Sequence, residues 1–128
     1  MPVRPAGFGQ GGGQHERMSA VDTAWLRMDG PASTMMIVSV MTTATPVPAA
    51  DLRRILETRL LCFPRFRKRV ETDPLGASWI EDSDFDLDAH FVVTGLPGKG
   101  ERHELQALAA RLASQRFDPA RPLWQLHF

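Results

Sequence analysis

The stretch that most constrains the fold is Met35-Met36-Ile37-Val38-Ser39-Val40-Met41-Thr42-Thr43. Read at the two-residue period of a strand, both of its faces are largely apolar, and β-branched side chains are frequent. A strand apolar on both faces needs cover on both sides, so the pattern predicts a central strand inside a layered α/β arrangement. The flanking sequence offers the covering layers. Val21, Ala24, Trp25 and Met28 recur at helical spacing behind Ser19, a cap residue with Asp22 three positions later, and Gly30-Pro31 ends the pattern. This predicts a short helix with one buried stripe.

Further along, Pro48 opens a second helix whose inner face is Leu52, Ile55, Leu56, Leu60 and Phe63, closed by Pro64. Residues 65–70 read as extended, Asp73-Pro74-Leu75-Gly76 as a turn, and residues 78–81 as a returning strand. An acidic stretch, residues 81–88, leads to a short strand at 90–93. A third helix spans about 101–115, with Leu105, Leu108, Ala109 and Leu112 on one stripe. Asp118-Pro119 breaks it, and the last residues alternate as a strand: Trp124, Leu126 and Phe128 on one face, Leu123, Gln125 and His127 on the other. An apolar strand at the very end is expected to fray or stay unpaired. The fold class is therefore α/β, with mixed α+β layers.

Composition narrows the functions. Fifteen basic side chains balance fifteen acidic ones, so no net field draws nucleic acid or an anionic membrane. One cysteine, Cys62, excludes an internal disulfide, and its apolar neighbours predict a buried small hydrophobe. No apolar run reaches the ~18 residues of a membrane span. Residues 1–17, rich in glycine and lacking an apolar segment, read as a disordered tail, and Met18 begins the patterned sequence as a candidate start.

Four histidines are available: His15 in that tail, His103 on a polar helix face, His127 near the end, and His90 in Asp88-Ala89-His90. Asp88 could orient the His90 imidazole, but no third ligand is spaced to complete a metal site, so His90 reads as structural. The acidic stretch lacks the spacing of a calcium loop and reads as a solvated connection. Arg65-Phe66-Arg67-Lys68-Arg69 is the only basic cluster. If extended, it puts Arg65, Arg67 and Arg69 on one side, able to meet phosphate or an acidic partner; with one interleaved Phe and no net positive charge it is weak evidence for nucleic-acid binding, and an ion-paired strand edge is the favoured reading. Catalytic and metal-ligating residues are expected to number none.

Five stretches in order resemble the bacterial wax ester synthase/diacylglycerol acyltransferase family. They are Ser19-Ala20-Val21-Asp22-Thr23-Ala24-Trp25-Leu26, Phe63-Pro64-Arg65-Phe66-Arg67-Lys68-Arg69, Trp79-Ile80-Glu81-Asp82, Asp84-Phe85-Asp86-Leu87-Asp88-Ala89-His90 and Phe117-Asp118-Pro119-Ala120-Arg121-Pro122-Leu123-Trp124. The resemblance implies the N-terminal part of a two-part fold like that of chloramphenicol acetyltransferase. It implies transfer of an acyl group from acyl-CoA to diacylglycerol or a fatty alcohol, with acyl-CoA as co-substrate and no resident cofactor. It also implies a cytoplasmic protein, at most peripheral at a membrane or lipid inclusion.

The family's signature is His-His-x-x-x-Asp-Gly, whose second histidine takes the alcohol proton. No adjacent histidine pair exists among these 128 residues. Pro122, Leu123 and Trp124 match the family's Pro-Leu-Trp, taken there as structural or as lining the substrate site. Met36 stands where relatives often have a histidine. Residues 18–128 are thus expected to be a truncated N-terminal portion, inactive alone, or else a module that pairs with a separate chain carrying the catalytic half.

Overall fold

The computed structural model describes residues 15–128. Its first element, β1 (Glu16–Arg17), lies antiparallel to β3 (Gly76–Glu81), which pairs on its other edge with β2 (Lys68–Asp73). A second, parallel pair joins β4 (Phe91–Val92) to β5 (Leu126–His127). Parallel strands need a crossover, and helix α3 (Arg102–Ala113) lies within it. With α1 (Ala20–Met28) and α2 (Ala49–Ile55), the result is the mixed α/β layering the sequence predicts.

Local signals explain most of these elements. Ser19 caps α1, its hydroxyl accepting from the Asp22 N–H at 3.0 Å. Asp73 receives the Leu75 N–H at 2.7 Å and closes the β2–β3 turn, where Gly76 adopts positive φ. Glu101 and Glu104 form a reciprocal capping box at the start of α3. In α3 the half-buried positions include the predicted stripe, Leu105, Leu108, Ala109 and Leu112.

Two small cores result. In one, Met18, Val70 and Ala77 are buried, with Leu26, Trp79 and Leu123 packed on them. In the other, Leu56, Leu87 and Phe91 are buried among Leu52, Leu60, Phe85, Trp124 and Leu126.

Several expectations are corrected. Residues 35–43 form no strand, because no neighbouring edge among the described residues pairs with them, and Ile37 and Met41 are 94% and 90% exposed. In α1, Thr23 is buried and Leu26 partly so, while Val21, Trp25 and Met28 face outward. The stripe is real but lies on the side away from the core.

The second helix widens into a π turn at Leu56–Leu60, where Leu61 N–H reaches the Leu56 carbonyl. Leu52, Leu56 and Leu60 stay inward, whereas Ile55 and Phe63 are exposed. Cys62 is exposed at the end of that turn, its thiol donating to the Arg59 carbonyl. Pro64–Arg67 is a 3-10 turn, seeded by proline's fixed φ, so the strand begins only at Lys68.

The last residues are paired rather than frayed: Phe128 N–H donates to the Val92 carbonyl at 2.8 Å, and Phe128 stacks on Phe91. The predicted tail lies outside the described residues over 1–14, and its final residues, Glu16–Arg17, are β1.

Candidate functional site

The matched Pro-Leu-Trp segment sits where the two cores meet. Pro122 is buried, Leu123 packs on the Met18–Val70–Ala77 core, and Trp124 on the Leu56–Leu87–Phe91 core. The Trp124 indole N–H donates to the Phe66 carbonyl at 2.8 Å, and its ring meets Phe66 edge-on at 5.9 Å. The basic segment and the terminal strand are therefore tied through one side chain.

On its other face Trp124 stacks on His90 at 4.7 Å, and His90 in turn stacks on Phe85 at 5.1 Å. His90 is only 2% exposed. Its Nδ1 lies 2.7 Å from the Trp124 carbonyl oxygen. A carbonyl can only accept, so Nδ1 carries the proton. Nε2 is buried with no partner among the described residues. The Leu126 N–H completes the clasp on the His90 carbonyl at 2.7 Å. The structural role expected for His90 is the one its surroundings fit.

Asp88 does not orient His90. It pairs with Arg53, whose guanidinium also reaches Glu57 at 3.1 Å. Hydrogen bonding to Asp88 raises the Arg53 pKa, opposed by desolvation and aided by the nearby charges of Asp88 and Glu57. Asp82 and Asp86 accept backbone N–H groups two residues ahead and so stabilise their own turns. No group of three or more His, Cys, Asp or Glu side chains among the described residues could hold a metal ion.

The basic cluster is spent on ion pairs. Arg65 reaches Glu16 at 2.6 Å and lies over the Trp79 ring at 4.3 Å; Lys68 reaches the other Glu16 oxygen at 2.8 Å, and Arg67 lies 3.7 Å from Glu81. The Lys68 hydrogen bond, opposed by desolvation and aided by the charges of Arg65 and Lys68, holds the Glu16 carboxyl below its ordinary range. Because the 3-10 turn intervenes, Arg65, Arg67 and Arg69 do not share one extended face.

The other imidazoles have separate neighbours: Glu71 for His15, Glu101 for His103, Thr94 and Gln125 for His127. No two histidines share a site. A groove of about 510 Å³ runs between α1 and the β2–β3 turn, lined by residues that include Arg17, Arg27 and Leu75, and it does not involve Pro122, Leu123 or Trp124. The aromatic clasp on Trp124 was missed at the sequence level. Its signal was present, since buried Trp and His both need polar partners, but the partners are backbone carbonyls, which no side-chain pattern marks.

Residues 18–128 match the family described as the wax ester synthase/diacylglycerol acyltransferase catalytic domain. A Mycobacterium tuberculosis protein named probable diacylglycerol O-acyltransferase tgs3 is 33% identical over 117 residues, covering 87% of this chain and 43% of that relative. Another from that organism, probable diacylglycerol O-acyltransferase tgs1, is 39% identical over 85 residues, covering 62% of this chain and 18% of the relative. This chain thus spans less than half the length of either relative. No solved structure matches it. No helix of the described residues is long and apolar enough to cross a membrane.

Proposed function

This chain belongs to the wax ester synthase/diacylglycerol acyltransferase catalytic-domain family, and we propose that it supplies the N-terminal scaffold of an O-acyltransferase but not its general base. The reaction joins the acyl group of acyl-CoA to diacylglycerol or a long-chain alcohol and releases free CoA, with no resident cofactor. An alcohol is a poor nucleophile at neutral pH, so a positioned base must take its proton as the oxygen attacks the thioester.

The observation that carries the reading is the match over residues 18–128 in a sequence without a His-His pair. His90 is no substitute: it is buried, committed through Nδ1 to a carbonyl and walled by Phe85 and Trp124. We assign Pro122, Leu123 and Trp124 a structural role rather than substrate lining. Their support is the packing that joins both cores. In this reading the enzyme works in the cytoplasm, peripherally at a membrane or lipid inclusion.

A fusion tests the reading. These 128 residues replace the matching portion of a full-length family member that carries His-His-x-x-x-Asp-Gly. The fusion should release CoA when given acyl-CoA with hexadecanol or diacylglycerol, and lose that activity when the second signature histidine becomes alanine. A soluble, folded fusion that releases no CoA would refute the scaffold assignment.

The second reading is that the catalytic half is supplied by a separate chain. The breadth of exposed apolar surface favours it: Val21, Trp25, Met28, Ile37, Val40 and Met41 all lie open to solvent. Co-purification of the two halves would support this reading.

A further inference from the structure

We propose that the groove between α1 and the β2–β3 turn is a binding site for a phosphate monoester carried on a short apolar body. Its volume of about 510 Å³ falls within the range of small-molecule sites, about 300–1,000 Å³. Two guanidinium groups reach it, Arg17 from β1 and Arg27 from the last turn of α1, and no acidic side chain among the described residues lines it. Asp22, the one acid of α1, lies on the far side of the helix from Ala20 and Arg27.

The two cations differ in what they already hold. Arg17 donates from Nη1 to Asp73 at 2.6 Å, which fixes its guanidinium against the turn. Gly76 makes that placement possible, since a Cβ there would stand 3.2 Å from Nη2. Arg27 is exposed and has no carboxylate partner among the described residues. An anion in the groove meets one guanidinium already set in place and one whose charge is uncompensated.

One turn before Arg27 stands Thr23. It is 9% exposed and lines the groove, and its hydroxyl has no hydrogen-bond partner among the described residues. Thr34, Thr43 and Thr58, by contrast, each donate to a carbonyl. A hydroxyl left unpaired in a buried place is costly, and an oxygen-rich ligand supplies the missing acceptor. Met18, Ala24 and Ala77 complete the walls with apolar atoms, which favour an ester with a hydrocarbon part over a bare ion. A carboxylate brings one charge to two guanidinium groups, whereas a phosphate monoester brings about −1.5 to −2 at neutral pH. Such a group is carried both by soluble esters and by lipids of the phosphatidate type.

Titration of the isolated chain with octyl phosphate, followed by NMR, tests the site. The backbone amide resonances of residues 23–27 and 75–77 should shift, and the affinity should exceed that for inorganic phosphate by about tenfold or more. Octyl glucoside, with the same chain and no charge, should leave these amides in place. Arg27→Gln should weaken octyl phosphate binding by about tenfold, the loss of a charge-assisted hydrogen bond. Arg59→Gln, which removes an exposed cation from the π turn, should not change it. Thr23→Val keeps the side-chain volume and should weaken binding by a smaller factor; where it unfolds the chain, Arg27→Gln at its exposed position still decides.

Flotation with vesicles of phosphatidylcholine, with and without phosphatidate, separates the two sources. Phosphatidate-dependent flotation that Arg27→Gln removes assigns the site to a lipid, and octyl phosphate binding without flotation assigns it to a soluble ester. Unmoved amides at residues 23–27 and 75–77, equal binding of octyl glucoside, or equal weakening by Arg27→Gln and Arg59→Gln would overturn the site. The readout is binding by the chain alone, so neither success nor failure of acyl transfer in the fusion alters it.

Discussion

Trp124 illustrates how one side chain can join two small cores. It fills the space beside His90 and Phe66 and satisfies the Phe66 carbonyl. Trp124→Phe retains an aromatic ring but orphans that carbonyl, and should lower stability by about 1–3 kcal/mol in urea unfolding. Trp124→Ala also removes the packing and should cost about 3–5 kcal/mol. Equal effects of the two variants would show that the hydrogen bond, not the ring, dominates. The Pro-Leu-Trp tripeptide was legible in the sequence, but its place between cores was not, because Leu123 and Trp124 diverge to different clusters over one peptide unit. Cys62 misled for a related reason. Its apolar neighbours suggested burial, while the π turn before it sets which way the chain faces.

Among the elements, the Ser19 cap and the β2–β3 hairpin were readable, whereas pairing between segments distant in sequence was not. Ser19, the Glu101–Glu104 box and the Asp73–Gly76 turn are short-range signals that act within four residues. The approach to α3 adds one more. Gly98 has a φ of 63°, and a Cβ there would collide with the Glu104 carboxylate. Gly98→Ala should therefore destabilise by about 1–3 kcal/mol, seen as earlier fraying of α3 in thermal circular dichroism. Residues 35–43 failed as a strand for the opposite reason: periodicity marks a segment that suits a sheet, but only a neighbouring edge makes it one.

β1 was hidden within a tail signal because its two residues are held by ion pairs from distant sequence, Arg17 to Asp73 and Glu16 to Arg65 and Lys68. These pairs predict a pH dependence. Glu16 is held below its ordinary value of 4.5 by the Lys68 hydrogen bond first, and Asp73 below 3.8 by the Arg17 hydrogen bond first. Because both folded values are lowered, the stabilisation is complete above the ordinary values and is lost as pH falls through the folded ones. The Met18 N–H, which donates to the Ala77 carbonyl at 2.9 Å, should lose exchange protection as pH falls below the ordinary carboxylate range and through the lowered folded values. The Phe128 N–H, on the other sheet, should not. Parallel loss at both amides would show global unfolding instead.

For the whole molecule, the fold class and the family were legible because five ordered stretches run through residues 18–128. What the sequence could not convey is how much apolar surface stays open. Helical and strand periodicities assign faces without saying what lies against them, so the stripe of α1 and residues 35–43 read as buried and are exposed. We propose that these 128 residues form acyltransferase scaffold without the proton-accepting base. The most direct test is free CoA released by the purified chain alone from acyl-CoA, with hexadecanol or diacylglycerol as acceptor. Release should be indistinguishable from the protein-free blank; sustained, acceptor-dependent release proportional to chain concentration would show that a base is present after all.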